Sequence, residues 1–159
     1  MDTKTRGAAL VPVAPRGARL LFVGGLASLA AAALHVACIA GGPSWYRALG
    51  AGERMASLAA AGHWYPPTSA LVIAVVLATW GAFAWSGAGV IRRLPLLRTA
   101  LCAIAAVYLL RGFAAPWLVP LFPGNSTRFW VVSSAVCVAI GAVHAAGLRA
   151  AWPRLSARP

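Results

Sequence analysis

Acidic residues are almost missing from this sequence: its 159 residues include only Asp2 and Glu53, against 14 Lys and Arg, for a formal net charge of +12. With one acid beyond the N-terminal arm, a paired-carboxylate acid/base mechanism is excluded, because that chemistry needs two carboxyl groups held in different protonation states. A relay between Glu53 and His63 stays open, since a histidine exchanges protons near neutral pH. The three cysteines, Cys38, Cys102 and Cys137, fall in three different apolar segments and form no C-x-x-C. The motif of the four-helix thiol oxidoreductases that pass electrons to quinone is therefore lacking. No phosphate-loop or dinucleotide fingerprint occurs. The three histidines form no His-x-x-x-His pair and lie at different depths, so no metal, no cofactor and no catalytic residue is assigned.

Charge of either sign is scarce as well, at 10% of residues, where soluble domains carry about 25%. What fills the chain is apolar: 61% of residues are hydrophobic and the mean hydropathy is +0.79. Several runs approach ~20 residues, the length that crosses a ~30 Å hydrocarbon core as a helix. The basic residues stand in short groups at the ends of these runs. They form no basic face interleaved with aromatics, which argues against nucleic acid as a partner.

The expected fold is all-α, an integral membrane four-helix bundle with a short interfacial helical segment between helices 1 and 2. Spans are expected at about 20–40, 67–85, 95–113 and 129–151, after a flexible basic arm (1–19) and before a short tail (152–159). The first run exceeds the 7–15 residues of a signal-peptide core, so it reads as an uncleaved helix. Along it Gly24, Ser28, Ala31, Ala32, His35 and Cys38 recur at spacings of three and four, which collects small and polar residues on one face. Small faces let membrane helices approach closely. Ala74, Ala78 and Ala82 form a second such stripe, and Ser134, Cys137, Gly141 and His144 a third. His144 with Cys137 offers the only polar path toward the other end.

Ten of the 14 Lys and Arg lie in the N-terminal arm, the 86–98 turn and the C-terminal end; the other side holds Arg47, Arg54, Arg111 and Arg128. The positive-inside rule then puts both termini in the cytoplasm of a bacterial inner membrane. Segment 41–67 and loop 114–128 lie outside. Within that outer segment Ser44 is expected to cap a short helix, and Trp45, Tyr46, Trp64 and Tyr65 suit the headgroup level. Asn125-Ser126-Thr127, formally a glycosylation sequon, reads as a capping turn.

At ~1.5 Å rise per residue, His35 and Arg111 reach similar heights beneath the 41–67 cap. An arginine there should face inward and seek a partner. Glu53 is the only outside carboxylate, with Arg47 and Arg54 as nearer competitors for it. The candidate ligand-binding set is therefore His35, Glu53, His63, Tyr65, Tyr108 and Arg111.

The GAGERMA stretch, Tyr65-Pro66-Pro67, the SGAG turn before Arg92-Arg93-Leu94-Pro95-Leu96-Leu97-Arg98, and Tyr108-Leu109-Leu110-Arg111-Gly112 together resemble a group of small bacterial inner-membrane proteins with no assigned activity. The resemblance covers residues about 20–150, and DoxX-like proteins are similar in size and span number. It implies the topology and no reaction. Three functions are left: a non-enzymatic protein or accessory subunit binding a lipid or small amphipathic ligand in an outer-leaflet pocket; a small dimeric proton-coupled transporter; and a lipid- or isoprenoid-modifying enzyme. Expected partners are membrane lipids, with a homodimer or larger membrane complex as a further option.

Overall fold

The computed structural model describes residues 15–121 and 125–156, which hold helices and turns and, among them, no strand. Helix α1 spans Pro15–Ala48, α2 Glu53–Ala60, α3 Tyr65–Ala88, α4 Leu97–Phe113, α5 Ala115–Leu118 and α6 Thr127–Ser156, with a 3-10 turn at Val119–Leu121. Three of these, α1, α3 and α6, are long and apolar enough to cross a membrane. A fourth crossing is obtained if α4 and the 115–121 segment, bent by 60°, count as one span. Alone, the 17 residues of α4 reach about 25 Å, short of a ~30 Å core. The bend falls where Pro116 has no amide to give to the carbonyl four residues back.

The described part of the arm expected over 1–19 is already helical, because α1 starts at Pro15. Near Ala40, where the first span was expected to end, the helix bends and resumes: Gly42 takes φ 64° and ψ −152°, followed by Pro43. Only glycine reaches that backbone region without strain. Ser44 does not cap this segment as expected; its hydroxyl donates to the Gly41 carbonyl (3.3 Å). At the start of α3, Pro66 and Pro67 occupy the first turn, where a missing amide costs no helical bond. Ser126 caps α6 by accepting the Phe129 amide (3.2 Å), and Asn125 donates to the Gly50 carbonyl (2.9 Å). The turn expected at the sequon is thus also a tie to the 49–52 turn.

The helices pack in the order α3, α1, α6, α4, with the most extensive contacts at α1–α3, α4–α6 and α1–α6. Small residues set these three interfaces. A Cβ on Gly25 would come within 3.0 Å of the Gly81 carbonyl oxygen, and one on Gly112 within 3.1 Å of the Ser134 carbonyl oxygen. Gly17 and Gly147 bring α1 and α6 equally close, with Ala151 and Leu21 backbone nitrogens at 2.9 and 3.0 Å. Between α3 and α4 the backbone contact is sparser. There Trp80 packs edge-on to Tyr108, ring centroids 5.1 Å apart.

Two ends can be distinguished. The proximal end carries the start of α1, the α3–α4 turn and the end of α6; the distal end carries α2 and the α4–α6 connection. At the proximal end Ser86 accepts the Leu94 amide (2.9 Å) and donates to the Arg92 carbonyl (3.0 Å). Arg93 and Arg154 cross-tie this turn to α6 through the Leu155 and Gly87 carbonyls. At the distal end α2 packs on α1 and α3, burying Ala56 with Cys38, Tyr46 and Ala70.

Candidate functional site

Three helices bring one polar side chain each to the middle of the assembly. Ser28 on α1 and His144 on α6 have no exposed surface, and Tyr108 on α4 is buried at 5%. The Tyr108 hydroxyl donates to Ser28 Oγ (3.0 Å), and its ring stacks on the His144 imidazole at 5.6 Å. The imidazole fits because it lies against Gly24: a Cβ there would be 2.9 Å from His144 Cε1. His144 Nδ1 lies 2.9 Å from the Ile140 carbonyl oxygen. A carbonyl only accepts, so Nδ1 carries the proton. The lone-pair nitrogen Nε2 is buried without a hydrogen-bond partner.

One turn further along α4, on the face that carries Tyr108, stands the half-buried Arg111. Its guanidinium carbon is 5.4 Å from the centroid of the Trp130 indole, within cation–π range. Its Nη1 is buried and has no hydrogen-bond partner. Trp130 and Ser134 on α6, with Ala115, Val119, Asn125, Thr127 and Val131, line a cleft of about 380 Å³ at the distal end. Ser134 Oγ is also buried without a partner.

Glu53 does not reach Arg111. Its carboxylate accepts from Arg47 Nε (2.8 Å) and Nη2 (2.7 Å), with Ser57 Oγ at 3.4 Å. Both partners of this ion pair are exposed. The hydrogen bonds from Arg47, and its charge, hold the Glu53 carboxyl below the ordinary glutamate value. Sequence proximity decides the pairing: the turn after α1 returns Glu53 to the last turn of α1, while α2 lies on α1 and α3 and not beside the distal end of α4.

The other expected site residues are dispersed. His35 is half-buried and donates from Nδ1 to the Ala31 carbonyl of its own helix (2.8 Å). His63 and Tyr65 are exposed, with His63 Nδ1 accepting the Tyr65 amide (3.1 Å). Tyr108 and Arg111 share a face and look toward α6, but no hydrogen bond or ion pair among the described residues joins them to His35, Glu53, His63 or Tyr65. Three residues outside the expected set complete the arrangement: Ser28, Trp130 and His144. Two of them were legible as members of small-residue stripes; Trp130 carried no such signal.

Among the described residues no three His, Cys, Asp or Glu side chains are grouped so as to hold a metal ion. The distal cleft offers hydroxyl and amide groups and an indole wall, and the Arg111 guanidinium lies behind that wall, against the Trp130 ring. Comparison with family models, with curated proteins and with solved structures finds no match to this chain.

Proposed function

We propose that the chain is a four-span bundle in a bacterial inner membrane, with both termini cytoplasmic, and that it binds the acidic headgroup of a lipid or of a small amphipathic ligand in its distal cleft. The asymmetric arginines support the orientation, which places the cleft at the outer leaflet. The observation that carries the binding reading is Arg111: a half-buried cation whose Nη1 is buried without a hydrogen-bond partner, beside a cleft lined by Trp130 and Ser134. A guanidinium presents donors that match carboxylate or phosphate. The only acid among the described residues, Glu53, is occupied by Arg47, which leaves the counter-charge of Arg111 to a ligand.

The test is mass spectrometry of what copurifies with the protein in mild detergent. An acidic amphiphile retained by the wild type and lost from Arg111→Gln at unchanged melting temperature is the expected result. Equal retention by the two proteins sinks the reading. No retained ligand, together with proton-coupled uptake in vesicles, would replace it with transport.

A further inference from the structure

A second groove lies at the opposite end of the molecule, between α4 and α6. It measures about 490 Å³ and is lined by Cys102, Ala105, Ala145, Leu148, Arg149 and Trp152. Its walls are apolar along their length, while its proximal mouth is cationic. Arg149 lines it directly, and the Arg98 guanidinium carbon sits 3.9 Å from the centroid of the Trp152 ring. Arg98 Nε is buried without a hydrogen-bond partner.

We infer that this groove is a binding site for one anionic phospholipid, its phosphate between Arg98 and Arg149 and an acyl chain along Cys102, Ala105, Ala145 and Leu148. Charge complementarity selects the occupant. The only acid among the described residues is Glu53, which is at the distal end and engaged by Arg47. No carboxylate of this chain's described part therefore answers the two arginines. The Arg98 guanidinium is held against the Trp152 ring within cation–π range, and a guanidinium supplies the charge-assisted donors that a phosphate oxygen accepts. The groove's dimensions agree with a lipid: Arg98 and Ala105 are two turns apart, about 10 Å, a distance that suits the upper part of an acyl chain below its headgroup. Basic pockets between helices at a membrane's cytoplasmic face are suited to phosphate headgroups in this way. The site is separate from the distal cleft and does not depend on what that cleft binds.

Cys102 supplies a probe within the groove, being the exposed cysteine of the three, whereas Cys38 is buried and Cys137 half-buried. The full chain in detergent micelles is treated with N-ethylmaleimide after addition of dioleoylphosphatidylglycerol or dioleoylphosphatidylcholine, and the adduct at Cys102 is quantified by peptide mass spectrometry. The anionic lipid should slow modification of Cys102 at least fivefold relative to the zwitterionic one. Arg98→Gln/Arg149→Gln should abolish that difference, while Arg92→Gln, an exposed cation at the same end, and Arg111→Gln, at the distal cleft, should keep it. Ala145→Phe, which fills the groove and leaves the charges in place, should also abolish the difference, and it keeps the question open to test if the double variant does not fold. Equal protection by the two lipids in the wild type, or loss of protection in Arg92→Gln as great as in the double variant, would overturn the proposal in favour of diffuse attraction to a cationic end.

Discussion

Tyr108 and Ser28, 80 positions apart in sequence, share a hydrogen bond of 3.0 Å in a fully packed environment. It joins α4 to α1, two helices that have α6 between them, and it is the polar contact that crosses the centre of the assembly. Removing the acceptor leaves the phenol hydroxyl without a partner, at a cost of about 1–3 kcal/mol, whereas removing both groups can be nearly neutral. Ser28→Ala should therefore destabilise the protein, and Tyr108→Phe should restore part of that loss in the double variant. Thermal melting of the purified single and double variants in detergent reads the coupling. Losses that add within about 0.3–0.5 kcal/mol would show that the two side chains do not act together.

The α4–α6 contact rests on glycine. At Gly112 a Cβ would lie 2.5 Å from Val138 Cγ2 and 3.0 Å from the Val138 amide nitrogen. The second of these is backbone and cannot step aside. Gly112→Val should lower stability by about 1–3 kcal/mol through overpacking, seen as a lower melting temperature, while the same change at the more open Ala106, an exposed position of α4, should be nearly silent.

The distal cap should respond to acid. Glu53 titrates below its ordinary value because Arg47 hydrogen-bonds and attracts the ionised form. A carboxyl with a depressed folded pKa stabilises the attached cap above the unfolded value, about 4.3, and that contribution is lost as pH falls through the folded value. Hydrogen exchange over 49–60, normalised for intrinsic rate, should rise across this window in the wild type. In Glu53→Gln it should already be high at neutral pH and show no further step. Because both side chains are exposed, the effect belongs to the cap and should leave global melting almost unchanged.

Leu96 precedes α4 with φ 53°, the left-handed region that costs a side chain about 1–2 kcal/mol. It is 79% exposed, so little burial is lost on truncation. Leu96→Gly should raise the melting temperature modestly, since relief of strain exceeds the 0.5–1 kcal/mol or so that glycine's extra freedom costs. An unchanged or lowered melting temperature would show that the turn relaxes around leucine at no cost.

Periodic features were the readable ones. Gly24, Ser28 and Ala32 are buried, as are Ala74, Gly141 and His144, because a stripe of small residues on a helix has one efficient use, which is close approach. The capping role of Ser126 was equally local and equally legible. Pairing across the distal end was not. Scarcity of acids pointed from Arg111 to Glu53, yet the short turn at 49–52 delivers Glu53 to Arg47 before any other helix can compete. Depth along a helix axis also says nothing about which neighbour stands beside it. His144 and Tyr108 meet because α6 lies between α1 and α4, an ordering that no single-helix pattern encodes.

That ordering has a bearing on how the protein is made. The chain emerges from its N-terminus, so α1, α2 and α3 are complete early and already hold one another through Gly25, Gly81 and the Ala56 cluster. Helix α4 comes next, but the neighbour that covers most of it, α6, is made only after it. Until then the bond from Tyr108 to Ser28 has no imidazole to stack against, and Gly112 has no Ser134 to approach. Helix α4 is thus a waiting segment during synthesis, and the final thirty residues of described chain act as the latch that seats it.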